Sequence, residues 1–252
     1  MIELNKIYNE DCLEGMKRIP AGSVDMVVTD PPYKLTSRGT SGSMGGAFWT
    51  GELAKNGKVF ENGSVDISDW IGECYRVLKG GTHIYIMVND KNLMRYLNEV
   101  DRSGFNFVKT LVWVKPNKIC GRWYMTQKET IILARKGGQR PINNAGTSDV
   151  LFTPSFKKQK ADKLNLHDTE KPTELMQVLI ENSSKENDVI LDPFIGSGTT
   201  AIACINTGRN FIGFELDKHY CDIANERIRK ALADSTRKDY DEMKVCVGKC
   251  NT

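Results

Sequence analysis

Asp30-Pro31-Pro32-Tyr33 follows directly on the run Asp25-Met26-Val27-Val28-Thr29, and its parts suit chemistry on the amino group of a nucleobase. An exocyclic amine is a poor nucleophile because its lone pair is delocalised into the ring. A carboxylate and a carbonyl that accept from its two N–H groups favour the pyramidal, reactive nitrogen. Asp30 supplies the carboxylate. Pro31 supplies the carbonyl, because consecutive prolines stiffen the backbone and leave C=O groups without an N–H of their own. Tyr33 offers a flat face on which an extruded base can stack. The same residues also suit a strand that simply ends in a Pro-Pro turn with an Asp cap.

A second motif stands near the other end of the chain. Val189-Ile190-Leu191 reads as a short buried strand and runs into Asp192-Pro193-Phe194-Ile195-Gly196-Ser197-Gly198-Thr199-Thr200-Ala201. A helical stretch, a turn at Gly208 and a second strand, Asn210 to Phe214, lead to Glu215. Gly196 and Gly198 let the backbone turn sharply and approach a ligand at a helix N-terminus. Glu215, at the tip of the next strand, can accept from both hydroxyls of a ribose. Glycines after a strand also serve as plain turn punctuation. Strand, glycine loop, helix, strand and acid in this order favour a nucleoside pocket.

Together, and in this order, the two motifs resemble the beta-group DNA amino-methyltransferases. The likeness extends through Asn9-Glu10-Asp11-Cys12, Trp70 to Lys79, Trp113-Val114-Lys115-Pro116-Asn117, His167-Asp168-Thr169-Glu170-Lys171-Pro172 and the block from Asp188 to Ala224. Asp168 departs from the family, which often has Pro after the histidine. The resemblance implies an α/β, Rossmann-like AdoMet-dependent (S-adenosylmethionine) methyltransferase fold. Its sheet would be mostly parallel and seven-stranded, with an antiparallel edge strand and a circularly permuted motif order. It implies AdoMet contacts at Asp11, Lys171, Asp192, Phe194, Gly196, Gly198 and Glu215. The base-side catalytic site would be Asp30, Pro31, Pro32 and Tyr33. The implied reaction is methyl transfer to the exocyclic N6 of an adenine flipped out of double-stranded DNA, with N4 of cytosine as the alternative. Asp at the first motif position favours adenine, since cytosine-N4 enzymes of this group more often have Ser there. A homodimer and a cognate restriction enzyme are partners that the resemblance leaves open.

The chain as a whole fits one large core. Its 252 residues, 40% hydrophobic and 27% charged, are ordinary for a globular protein and read as a single domain, residues 1–252. No apolar run approaches a membrane span, and Met1-Ile2-Glu3-Leu4 lacks the layout of a secretory signal. Seven scattered cysteines argue against a disulfide framework and for a reducing cytoplasm. Cys246 and Cys250 lack further ligands at metal spacing, so no metal is expected.

The net charge of +3 conceals an asymmetry. Lys109 to Lys163 carries twelve Lys or Arg against three acids, together with Trp113, Trp123, Tyr124, Phe152 and Phe156. Basic residues interleaved with aromatics suit phosphates and unstacked bases. Trp113, on an apolar strand, reads as core. Lys115, Lys118, Arg122, Arg135, Lys136, Arg140, Lys157, Lys158 and Lys160 read as a nucleic-acid surface.

Apolar runs predict strands at Val24–Thr29, Thr82–Val88, Val108–Val114, Thr130–Ala134, Val189–Leu191 and Asn210–Phe214. Helical patterns fill Cys12–Ile19, Asp69–Leu78, Lys91–Ser103, Thr173–Ser183, Thr199–Thr207 and Lys218–Ala233. This alternation implies a largely parallel sheet covered on both faces. Val108–Val114 and Thr130–Ala134, with no helix between, read as an antiparallel edge pair. Residues 34–64 read as a mobile loop after the catalytic motif, and 137–168 as a target-recognition insert. If the Val189 strand lies beside the Val24 strand where the strand order switches, Gly196 and Asp30 face one crevice.

A nicotinamide-dependent oxidoreductase is the runner-up, because the Gly196–Ala201 segment also meets the dinucleotide pattern. Only 37 residues follow Glu215, too few for the second half of such a fold in that direction. That reading also leaves Asp30–Tyr33 and the basic segment unused. On the methyltransferase reading, DNA affinity measured by anisotropy falls steeply with salt, as several phosphates are neutralised. Removing the charges of Lys157 and Lys158 together flattens that slope; an unchanged slope places the DNA elsewhere.

Overall fold

A computed structural model describes residues 2–32, 65–119, 123–153 and 171–249. Tyr33, the 34–64 loop, Arg122 and residues 154–168 of the insert lie outside the described residues. The strands are β1 (Lys6–Tyr8), β2 (Val24–Thr29), β3 (Leu78–Val88), β4 (Phe105–Ile119), β5 (Thr126–Lys136), β6 (Val150–Phe152), β7 (Val189–Asp192) and β8 (Asn210–Phe214). The helices are α1 (Cys12–Met16), α2 (Ile67–Val77), α3 (Leu93–Arg102), α4 (Thr173–Ser183), α5 (Thr199–Asn206) and α6 (Lys218–Lys249).

One sheet runs β1-β8-β7-β2-β3-β5-β4-β6. Residues on alternate sides of each strand enter two apolar layers. Met26 and Val28 pack with Leu175, Leu179, Ala201 and Ala224, that is, under α4, α5 and α6. Val27, Ile84 and Ile86 pack with Met16, Trp70, Cys74 and Val100, under α1, α2 and α3. Every residue of β2 is buried because both faces are covered. Burying each such aliphatic side chain stabilises by about 1.5–3 kcal/mol, which is why the unbroken apolar runs become central strands.

The sheet corrects the sequence-based expectation in two respects. Among the described residues it has eight strands rather than seven, and its single antiparallel member is interior. β5 runs against β3 on one side and β4 on the other. The edge beyond β4 is closed by β6, paired parallel through Val112↔Val150 and Val114↔Phe152. β6 lies inside the segment read as a target-recognition insert, and β1 on the opposite edge was not foreseen either. Each is three residues long, too short to carry a period. Helix α2 starts at Ile67 rather than Asp69 because Asp66 caps it. Asp66 accepts from Ser68 N at 3.1 Å, while Asp69 accepts from Asp66 N at 3.1 Å.

The expected neighbourhood of β2 and β7 is present, with Met26↔Ile190 and Val27↔Leu191 in parallel register. Asp25 secures it from the start of β2. Its buried carboxylate accepts from Val189 N at 3.0 Å and from Lys79 Nζ at 2.7 Å, tying β7 and β3 to β2.

A second buried polar group pins β3 to α4. His83 Nε2 lies 3.0 Å from the Arg140 carbonyl, which can only accept, so this nitrogen carries the proton. Nδ1 then accepts from Ser183 Oγ at 2.9 Å, and Ser183 Oγ accepts from Tyr85 at 2.8 Å. Burial lowers the His83 pKa from 6.5. The folded state thus holds the neutral ring, and the unfolded chain gains the proton first as pH falls. The His83 contribution is complete above pH 6.5 and is lost below it, by at most about 1.4 kcal/mol per pH unit. Denaturant melts at pH 7.5 and about pH 5 should show a smaller acid loss in His83→Gln than in the parent.

Candidate active site at the carboxyl end of the sheet

Strands β1, β8, β7, β2 and β3 all point their carboxyl ends the same way. Open sheets of this kind bind ligands there, at the switch in strand order. Here the switch falls between β7 and β2, since α5 leads from β7 to β8 on one side and α2 leads to β3 on the other.

On the β7 side, Asp192 ends its strand and is buried. One oxygen accepts from Phe194 N at 3.1 Å, and the other from Thr200 Oγ1 at 2.6 Å, so the carboxylate ties the loop to the first turn of α5. Burial pushes its pKa up to about 7 against the pull of those donors. Gly196 and Gly198 both take left-handed φ, +54° and +88°. Their surroundings differ. A Cβ on Gly198 would lie 2.9 Å from Ala224 Cβ, so this glycine lets α6 pack against the loop. A Cβ on Gly196 would meet nothing within 4 Å, so this glycine faces open space.

Glu215, just past β8, borders that space. Its two oxygens accept from Gly196 N at 3.0 Å and Asp217 N at 2.8 Å, which fixes the carboxylate plane. Phe194 is half-buried, its ring set edge-on to Trp70 at 5.4 Å. Asp11, exposed beyond β1, caps α1 by accepting from Leu13 N at 2.8 Å. Asp11, Asp192, Phe194, Gly196, Gly198 and Glu215 therefore all stand at this one end of the sheet.

On the β2 side, Pro31 is buried and Pro32 half-buried. Asp30 Oδ2 accepts from Lys171 Nζ at 2.5 Å. Lys171 was expected on the cofactor side, and the structure brings it onto Asp30, the carboxylate expected on the base side. Its ammonium also lies 3.3 Å from Glu129 Oε1, and Glu129 Oε2 lies 3.0 Å from Lys115 Nζ. The result is a chain of alternating charge, Asp30, Lys171, Glu129, Lys115, drawn from β2, the approach to α4, β5 and β4. Lys171 and Glu129 keep only 11% and 6% of their side-chain surface exposed. Asp30 keeps 27%, but its Oδ1 is shut off from solvent and has no partner among the described residues.

The pKa directions follow from this geometry. Burial alone would drive Lys171 down, but the Asp30 and Glu129 carboxylates outweigh it and hold the ammonium above its usual range. Burial would raise Glu129, but Lys171 and Lys115 bring it below its usual range. Asp30 goes the other way: burial raises it, and Lys171, offset by the nearby Glu129, only partly opposes that rise.

Glu129 is the site residue that sequence reasoning missed, and Lys115, read as part of a nucleic-acid surface, belongs instead to this charge chain. Glu129 directly precedes an apolar strand and sits among cations, so it reads as a solvated rim residue. The one available signal is an acid placed where β5 begins its buried run. Trp113 is core, as expected, and its Nε1 donates to Thr153 Oγ1 at 3.1 Å. Because β5 is antiparallel, the β4–β5 turn projects past this same end and carries Trp123 and Tyr124, 86% and 90% exposed.

Replacing Gly198 by alanine imposes both the left-handed φ and the Ala224 clash. It should destabilise the fold by about 1–3 kcal/mol in denaturant melts. Gly196→Ala, with no clash, should cost less than Gly198→Ala in the same melts.

The DNA methylase family model for N6/N4 methyltransferases matches residues 24–226. The type II methyltransferase M2.LlaDCHI of Lactococcus lactis subsp. cremoris is 31% identical, over 89% of this chain and 89% of its own. M.HinfI of Haemophilus influenzae, also a type II methyltransferase, is 30% identical over 90% of this chain and 69% of its own. Among solved structures, M1.HpyAVI in complex with SAM superposes with a TM-score of 0.65 at 24% identity, over 88% of this chain and 98% of that one. The cytosine-N4-specific PvuII DNA methyltransferase reaches 0.67 at 18% identity, over 92% of each chain. Likenesses this distant in sequence speak for the fold alone. The nicotinamide oxidoreductase reading loses its support, and the chain belongs to the DNA methylase family of N6/N4 methyltransferases.

Proposed function

We propose that this protein transfers a methyl group from AdoMet to the exocyclic N6 of an adenine flipped out of double-stranded DNA. The observation that carries the reading is Asp30 Oδ1, an acceptor closed off from solvent and without a partner among the described residues, at the end of β2, the strand paired with β7. When bound, AdoMet supplies an electrophilic methyl group on a positively charged sulfur.

The residues present fit the cofactor. Open space at Gly196, flanked by a Glu215 carboxylate whose plane is fixed, suits an adenosine ribose. Asp192 orders the loop, Gly198 lets α6 close on it, Phe194 adds an apolar wall and Asp11 completes the cofactor side, whereas Lys171, assigned there from the sequence, stands on Asp30.

On the base side, Asp30 Oδ1 accepts one N–H of the target amine and the Pro31 carbonyl accepts the other. Holding both localises the nitrogen lone pair, and positioning of this kind supplies much of the rate. The nitrogen–carbon bond would form as the carbon–sulfur bond breaks, its electron pair leaving on sulfur; the nitrogen must then shed a proton, and Asp30, with its raised pKa, can take it. Extracting the base costs a few kcal/mol, of which stacking on Tyr33 offsets about 1–3 kcal/mol. Exposed Trp123, Tyr124 and Lys118 at the β4–β5 turn, with Phe152 on β6, suit unstacked bases and phosphates at the same end. The choice of adenine rests on the aspartate that opens the tetrapeptide.

Incubation with AdoMet and genomic DNA, followed by mass spectrometry of the nucleosides, should yield N6-methyladenine. N4-methylcytosine alone would overturn the base assignment and leave the amino-methyltransferase intact. Asp30→Ala should bind AdoMet normally in calorimetry yet transfer no methyl groups.

A further inference from the structure

Glu129 has no role in the reaction as described so far, yet it is buried at the active end of the sheet and faces two ammonium groups. Asp30 must present one oxygen to the target amine, and a single flexible lysine could satisfy either oxygen. Two features keep Lys171 on Oδ2. Glu129 Oε1 holds its ammonium at 3.3 Å, and Lys115 holds Glu129 in turn at 3.0 Å. Lys115 is itself steadied over the Trp113 ring at 5.5 Å.

We infer that Glu129 is a positioning residue for methyl transfer: it anchors Lys171 on Asp30 Oδ2 and so reserves Asp30 Oδ1 for the substrate amine. The inference rests on the reading of Asp30 as the base-side carboxylate. Charge balance gives it its force. With Glu129 ionised, two carboxylates face two ammonium groups. Without that charge, Asp30 is the one carboxylate among the described residues left to face both Lys171 and Lys115. Lys171 is then free to swing across both Asp30 oxygens, and Oδ1 is no longer kept clear of it. Glu129 stands one strand beyond β3 from Asp30 and needs no contact with cofactor or DNA for this role.

Methyl transfer from tritiated AdoMet to unmethylated genomic DNA, with AdoMet affinity from calorimetry, tests the assignment. Glu129→Gln should lower kcat between about ten- and a hundredfold, the scale expected for a misplaced reacting group, while KM for DNA and Kd for AdoMet stay within about twofold. Unchanged kcat, or a loss of AdoMet affinity that accounts for the fall, would overturn it. Should Glu129→Gln fail to fold, Glu129→Asp keeps the charge and withdraws it by one methylene. It should lower kcat severalfold with the same affinities, and an unchanged kcat would again overturn the inference. Asp30→Ala is run beside them. If it still transfers methyl groups, the reading of Asp30 fails; if it is inactive while Glu129→Gln keeps full kcat, only the role of Glu129 fails.

Discussion

The pairing of β2 with β7 is the constraint on which the rest of this molecule depends. Asp30 leaves the end of one strand and the Gly196–Gly198 loop leaves the end of the other, so their hydrogen-bonded register sets the distance between two motifs far apart in the chain. The register is held at the opposite end by Asp25, whose carboxylate takes the Val189 amide and the Lys79 ammonium. A buried carboxylate without those two donors would be costly, so a slipped register is disfavoured twice, by the lost pairing and by the stranded charge. The apolar layers on each face add a third penalty, because a one-residue slip would turn Val27 and Val28 to the wrong sides.

At the active end the same physics is tuned differently from one carboxylate to the next. Asp192 has a hydroxyl and an amide as direct partners, and burial takes it to about 7. Glu129, with two ammonium groups, stays below its usual range in spite of burial. Asp30 is raised by burial, with one ammonium on one oxygen, the neighbouring Glu129 opposing it, and no partner for the second oxygen among the described residues. A group in that condition suits the role proposed for it, accepting a hydrogen bond and then a proton from an amine.

The basic segment divides along similar lines. Lys136 reaches under the sheet to the carbonyls of Tyr75 and Leu78, and Lys115 completes the buried charge chain, so both serve the fold. Lys118 and the aromatic pair Trp123-Tyr124 point outward instead, at the end where the two motifs meet. Net charge alone could not separate these groups, because a lysine contributes the same unit whether it binds a carbonyl or a phosphate.

Much of the architecture was legible in the chain itself. The strands β2, β7 and β8 announce themselves as short apolar runs, and α4 and α5 as helical stretches bounded by proline and glycine, because burial on two faces or one imposes a local period. The adjacency of β2 and β7 followed from rules of strand order. The two three-residue edge strands were not legible, since Lys6–Tyr8 and Val150–Phe152 are held by their neighbours' backbone and carry no pattern of their own. Nor was the interior place of β5, which depends on β6 covering the edge beyond β4. The two motifs and the strand ends that carry them could be read from the chain alone. That Lys171 turns to Asp30 across 141 residues, with Glu129 on the same ammonium, emerged only from the assembled sheet. Hydrophobic period is a local property of a chain, whereas an ion-pair partner is chosen by strand order, and strand order is settled only when the whole sheet is assembled.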